Sequence, residues 1–184
     1  NNFSFNSAQG ACPKCKGLGY VNVIDREKVC PRPTLSIKEG ALEPLGKYKN
    51  ALIFWEIEAV LLKYDCSLTT PVQDIPEEAM GEIFNGSGDR LRIPASIAKT
   101  SEDYYVEFAG LVKYIQQMAD AEMSAAAQKW ADQFSSTTTC PDCQGQRLNR
   151  EALSFKFGGK NIAELAHMDI GELSEWLADL ETQL

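Results

Sequence analysis

Four of the six cysteines fall in two near-identical turns, Cys12-Pro13-Lys14-Cys15-Lys16-Gly17 and Cys140-Pro141-Asp142-Cys143-Gln144-Gly145. Thiolates spaced this way can converge on one ion at about 2.3 Å if the turn is tight and its amides face the sulfurs. Glycine two residues after the second thiol relieves the turn where a side chain would clash. Two such knuckles complete a tetrahedral zinc site, with Cys12, Cys15, Cys140 and Cys143 as the expected ligands. The intervening residues 16–139 do not forbid a shared ion. Closing a loop of that length costs about 4 kcal/mol, whereas structural zinc returns about 10 to 16 kcal/mol. A folded excursion with adjacent ends would lower the cost further. Two alternatives stay open from the residues alone. The pairs could be a redox dithiol or unrelated buried cysteines, or each knuckle could pair with another one elsewhere in a longer chain.

Other chemistry is sparse. Cys30 and Cys66 are solitary and read as core thiols, and His167, the one histidine, has no second ligand nearby and reads as structural. Glu56 and Glu58 lie two apart on a helix and diverge, so they are no acid–base pair. There is no Ser/His/Asp or Cys/His set, and no GxxxxGK[ST] phosphate loop. Gly158-Gly159-Lys160, followed by Asn161, reads as a hairpin turn, and Asn85-Gly86-Ser87-Gly88 as a helix stop. Arg90, Arg92 and Lys99, with Tyr104 and Tyr105 nearby, could meet phosphates and stack on a distorted base. Asp89, Glu102, Asp103 and Glu107 cancel most of that field, so a solvated hairpin stands as the competing reading. The net charge of −8 excludes a protein that grips nucleic acid over its whole surface.

The elements that must carry these residues follow from periodicity. Tyr20–Ile24 alternates and suits a strand, and the Pro- and Gly-bearing stretch 30–50 suits a connector. A helix is expected from Ala51 to Tyr64, with Leu52, Trp55, Ala59 and Leu62 as its buried stripe and Ile53, Ile57, Val60 and Tyr64 widening it. A shorter helix follows, with Asp74 near its start, Pro76 in its first turn and Gly86 past its end. Arg90 to Phe108 suits a hairpin turning at Lys99–Glu102. A long helix is expected from Gly110 to Phe134, with Leu111, Ile115, Met118, Glu122 and Ala125 at helical spacing. Ser135–Thr139 reads as a break, Ala152–Phe157 as a strand, and Ile170–Leu180 as a helix capped by Asp169 with Glu172 completing the capping box.

The class expected is α+β: a mainly helical insertion domain with a β-hairpin, carried on a four-cysteine zinc module with a short flanking strand and helix. The boundaries drawn are 1–29 for the first knuckle and strand, 30–135 for the insertion, and 136–184 for the second knuckle and the return. No apolar run approaches the about 20 residues that cross a bilayer. Asn1-Asn2-Phe3-Ser4-Phe5 has no basic n-region, no apolar h-region and no initiator Met, as expected of a segment from a longer chain that is not secreted. Paired thiols without a secretory signal suit a reducing compartment.

Phe3-Ser4-Phe5-Asn6, then Gly10-Ala11-Cys12-Pro13-Lys14-Cys15-Lys16-Gly17-Leu18-Gly19, resembles the stretch by which the UvrA family of the bacterial excinuclease enters its insertion domain. Cys140-Pro141-Asp142-Cys143-Gln144-Gly145-Gln146-Arg147-Leu148-Asn149-Arg150-Glu151-Ala152-Leu153 resembles the stretch that leaves it. Gly159-Lys160-Asn161-Ile162 and Met168-Asp169-Ile170 are similar to the family's continuation. Leu35–Ala41 and Asn85–Gly88 match more loosely, so the likeness is strong at both ends and weak in the middle. The resemblance implies that the full protein is a homodimeric, cytoplasmic ABC-type ATPase of nucleotide excision repair. It would use ATP and Mg2+, engage damaged double-stranded DNA and load a UvrB-type partner. It also implies that Zn2+ on the four cysteines stiffens the base of the insertion, and that residues 136–184 return into the ABC signature domain. With no Walker A, Walker B or ABC signature here, the segment alone is not expected to hydrolyse ATP. One alternative within the family is the insertion module of a non-repair paralogue that binds protein rather than DNA. Outside it, a DnaJ-like chaperone domain would set four such knuckles in close succession, and a thiol oxidoreductase would want a thioredoxin-like βαβ pattern. Neither is seen.

Overall fold

The computed structural model describes residues 2–122 and 124–183. Two compact units emerge, one formed by Ile24–Ser136 and the other by Asn1–Val23 with Thr137–Leu184. The chain passes from one to the other within β1 (Tyr20–Ile24) and again within β4 (Ser135–Thr139), two strands that pair with each other. The class is α+β, with helices and three two-stranded sheets.

The larger unit begins with α1 (Arg26–Val29), whose cap Asp25 accepts from the Glu27 amide at 2.9 Å. The Ser136 hydroxyl, 2.5 Å away, holds the Asp25 carboxyl below its ordinary range. The Pro- and Gly-bearing connector that follows is ordered by turns rather than by regular structure. The Ser36 hydroxyl donates to Glu39 at 2.7 Å, and Val72 donates to the Leu35 carbonyl at 3.0 Å. The connector thereby seats Ile37, Leu42 and Leu45 in the core.

The helix α2 (Leu52–Leu62) forms where expected, and it buries Ala59 of the expected stripe with Ile53, Ile57 and Val60 of its widening, so the buried face is shifted toward the latter. Ile53, Phe54, Ile57, Val60 and Leu61 point inward, while Leu52 and Leu62 are 51% and 50% exposed and Trp55 is half-buried. Apolar residues surround this helix, so its period could not choose the face; packing against the next elements chose it. A 3₁₀ turn (Val72–Asp74) precedes α3 (Glu77–Asn85). Asp74 therefore lies in that turn, Pro76 sits at the cap of α3, and Gly86 (φ 93°) ends the helix.

The expected hairpin is present, with β2 (Leu91–Ile93) antiparallel to β3 (Tyr104–Val106) and Arg92 opposite Tyr105. A short helix, α4 (Ala95–Ala98), occupies the connection. Alternation buries Leu91 and Ile93 and turns Arg92 outward.

The single long helix expected over 110–134 is instead two, α5 (Gly110–Glu122) and α6 (Ala125–Asp132). Ser124 caps α6 by accepting the Ala127 amide at 3.0 Å, a bond that competes with helix continuation. Met123 and the side chain of Glu122 lie outside the described residues. Ser135–Thr139 follows the end of the helical stretch, as expected, and forms a strand, consistent with the β preference of its threonines.

In the smaller unit, Ala152–Phe157 is mostly helix rather than strand. Asn149 caps α7 (Arg150–Ser154) through the Ala152 amide at 2.8 Å, leaving only Lys156–Phe157 as β5. Gly158 and Gly159, both at positive φ, turn β5 into β6 (Lys160–Asn161). Helix α8 (Ile162–Ala166) starts from a capping box of Asn161 and Glu164. Helix α9 (Ile170–Gln183) starts from Asp169, which accepts the Glu172 amide at 2.8 Å, in line with the sequence pattern. His167 ends α8, its ring nitrogen 2.7 Å from the Ala163 carbonyl.

Candidate metal centre

Each knuckle follows the same backbone path. Lys16 and Gln144 lie at φ 51° and 49°, Gly17 and Gly145 both at 83°, and Gly19 and Arg147 at 85° and 71°. At Gly17 a Cβ would run into the Phe5 carbonyl, so only glycine fits. Leu18 donates to Cys15 at 3.0 Å and Gln146 to Cys143 at 2.8 Å, closing equivalent turns.

The two copies are joined reciprocally. Cys12 donates its amide to the Arg147 carbonyl at 2.9 Å, and Cys140 donates to Gly19 at 3.0 Å. Lys14 pairs with Asp142 at 3.1 Å, the Cys12 and Cys140 sulfurs lie 3.9 Å apart, and those of Cys15 and Cys143 lie 3.6 Å apart. In each of these three side-chain pairs the partners sit 128 positions apart, so the centre has an internal pseudo-two-fold.

All four sulfurs are buried and lie within 4.8 Å of one another. Sulfurs about 2.3 Å from a central tetrahedral ion are about 3.8 Å apart, which matches the two measured separations. A disulfide needs about 2.05 Å, and all six cysteines are free. A soft four-thiol set at this spacing suits a tetrahedral thiophilic cation.

The sulfurs differ electrostatically. Burial opposes ionisation of Cys15, but the Gly19 amide at 3.2 Å, the Cys143 thiol and the Gly17 amide outweigh it and bring Cys15 to about 7. Burial pushes Cys143 up to about 12. One thiol gives up its proton because its neighbour keeps one to share.

Arg147 is the residue that sequence reasoning passes over. It donates from Nε to the Gly17 carbonyl at 2.7 Å and lays its guanidinium 4.3 Å over the Phe5 ring, bracing one knuckle against the other. Overlaying the two knuckles at an offset of 128 would expose it, since it replaces the glycine of the first copy.

The three basic residues of the hairpin are not equivalent. Arg92 donates from Nε to Asp103 at 2.6 Å. Asp103 also accepts the Ala95 amide at 2.9 Å, and the two bonds hold its carboxyl below the ordinary range. Arg90 is exposed just before β2, and Lys99 is exposed at the left-handed end of α4. Among the described residues no carboxylate pairs with Arg90 or Lys99. Cys30 and Cys66 lie partly buried against the core of the larger unit and are not members of the four-thiol cluster.

Comparison with known proteins places these features in a family context. Residues 25–133 match the family model described as the UvrA DNA-binding domain. The chain is 33% identical over 183 residues to UvrABC system protein A of Mesorhizobium japonicum, covering 99% of this chain and 19% of that protein. It is 31% identical over 181 residues to UvrABC system protein A of Bacillus subtilis, covering 97% and 19%. The crystal structure of UvrA2 from Deinococcus radiodurans superposes with a TM-score of 0.67 at 26% identity, covering 96% of this chain and 23% of that one. The chain thus spans about a fifth of the length of the curated relatives it matches.

Proposed function

The chain belongs to the UvrA family, and from that premise we propose that it is the zinc-anchored, DNA-engaging segment of a damage-recognition ATPase in bacterial nucleotide excision repair. The observation that carries this reading is the juxtaposition of a UvrA DNA-binding match over residues 25–133 with four thiols that lie just outside it in sequence and converge in space. Cys12, Cys15, Cys140 and Cys143 would hold Zn2+, which supplies a fixed cross-link and no bond-making chemistry. The chain's own residues do the positioning. Arg147 and the Lys14–Asp142 pair clamp the knuckles together, and the two strands leading from them, β1 and β4, carry the DNA-binding unit.

On this reading Arg90 and Lys99, with no ion-pair partner of their own among the described residues, meet the phosphate backbone. Arg92 joins them only if Asp103 releases it, which makes it the weaker candidate. The whole protein, cytoplasmic and homodimeric, would bind ATP and Mg2+ in its remaining domains and hand damaged duplex to a UvrB-type partner.

A second reading, a paralogue whose insertion meets protein rather than DNA, draws support from charge. Residues 24–136 hold eighteen acidic against twelve basic side chains. Salt-dependent binding of the intact protein to a lesion-bearing and an undamaged duplex tests the choice. Arg90→Ala with Lys99→Ala should lower affinity for both duplexes and flatten the log–log salt slope by about two. Unchanged affinity and slope would assign the hairpin to the second reading.

A further inference from the structure

The outward side of α2 carries a feature that DNA binding does not use. Glu56 stands half-buried there, and among the described residues no cation or hydrogen-bond donor reaches its carboxylate. A cavity of about 420 Å³ opens beside it, walled by Leu52, Ile53, Phe108 and Tyr114, with Glu107 also in its lining. On the same side of the helix Leu52 and Leu62 are exposed and Trp55 is half-buried, while Ala59 between them is buried. Of the four residues that the period marks as the buried stripe, the fold buries Ala59, half-buries Trp55 and leaves Leu52 and Leu62 outside.

A desolvated carboxylate without a partner is costly, and that cost falls when a cation is brought to it. An arginine or lysine fits the rest of the lining as well. Its methylene stem can lie on Leu52 and Ile53 while its charged end lies near Glu56, Glu107 and the Phe108 and Tyr114 rings. Phosphate is repelled by the same two carboxylates, so nucleic acid is a poor occupant. A free cation such as a polyamine would leave the apolar stripe uncovered. A protein segment presenting a basic side chain between apolar ones satisfies both the cavity and the stripe.

We propose that the Glu56 cavity and the Leu52–Trp55–Leu62 stripe form a docking face for a partner protein's segment, which inserts an arginine or lysine side chain between Glu56 and Glu107 and covers the stripe with its own apolar residues. The face uses none of Arg90, Arg92 and Lys99, the residues proposed to meet DNA.

The test uses the full 184-residue chain, zinc-loaded and isotope-labelled, with two probes. One is N-acetyl-arginine amide, read against the citrulline analogue, which has the same shape and no charge. The other is a short peptide carrying one arginine flanked by leucines. Arginine amide should produce saturable NMR shifts confined to Glu56, Glu107, Phe108 and Tyr114, and the citrulline analogue should produce none. Glu56→Gln should weaken arginine amide about tenfold, as expected for a lost charge-assisted pair, with an unchanged or raised Tm. Leu62→Ser should weaken the peptide but not the amide. Shifts scattered over all exposed carboxylates would overturn the proposal, and so would equal response to citrulline, affinity unaltered in Glu56→Gln, or no response at all. A peptide that binds no better than the amide alone, and is indifferent to Leu62→Ser, would overturn the stripe.

Discussion

In Ile24–Ser136, side chains such as Phe54, Ile57, Leu61, Ile83, Leu111 and Ile115 are sealed into one apolar core drawn from α2, α3 and α5. Around the knuckles the buried cluster is the four thiols with Val21 against them, while Phe3, Phe155, Phe157 and Leu177 stay exposed. The first unit is stabilised by area: each fully buried large apolar side chain contributes about 1.5 to 3 kcal/mol, and many act together. The second has little such area and, with the proposed zinc in place, would rely on a single cross-link plus caps. Stability spread over many small terms tolerates the loss of any one of them. Stability concentrated in one site does not.

The strongest way to break that contrast is to remove a thiol. Cys140→Ser should cost the knuckle unit most of the about 10 kcal/mol or more that a structural ion contributes. Metal content should fall from one zinc per chain to near zero, and amide protection at Cys12, Gly19 and Gln146 should vanish in hydrogen exchange. Protection in α2 and α5 should survive. If those helices lose protection in step with the knuckles, the two units are not separately stabilised.

The converse change attacks the distributed core. Phe54 is fully buried in the first turn of α2 and its ring meets Tyr48 edge-on at 5.3 Å. Phe54→Ala should destabilise the larger unit by about 3 to 5 kcal/mol through lost transfer energy and a residual cavity. Denaturant melts followed by zinc release would show the order of events. The larger unit should unfold at lower denaturant than in the parent chain, with the ion retained until the parent's own release midpoint.

The same division explains what can be read from the residues. The four-thiol cluster is legible because a knuckle is a local device: its Pro, its Gly and its spacing all lie within six residues, and only the meeting of the copies is long-range. The cap at Asp169 is legible because Glu172, three residues on, completes a capping box. What depends on distant partners is not. The period of α2 names Ile53, Ile57, Ala59 and Val60 correctly but also Leu52 and Leu62, because apolar residues surround the helix and only α3, β2 and their neighbours decide which of them is covered. That Ser135–Thr139 ends the helical stretch is legible, but that it pairs as a strand is not, because its partner lies more than a hundred residues away. The split between α5 and α6 turns on one serine hydroxyl choosing an amide over solvent.

The smallest effect probes a half-buried carboxylate of the larger unit, Glu56. Burial of Glu56 raises its carboxyl from 4.5 to about 7. The polar side chains that share its cavity are Glu107, which adds negative charge, Tyr114 and Gln117. Because the folded state binds the proton more tightly than the unfolded chain, Glu56 favours folding below pH 4.5. That contribution is lost as pH rises through about 7. Taken in full the shift would be worth about 3 kcal/mol; half-exposure to solvent reduces it to about 1 to 2 kcal/mol. Glu56→Gln removes the titration, so its stability relative to the parent should rise by that amount between about pH 4 and pH 8, read from denaturant midpoints at each pH. A parallel pair of pH profiles would mean that the carboxylate is already paired in solution, and the docking face would then lack the unmet charge on which it depends.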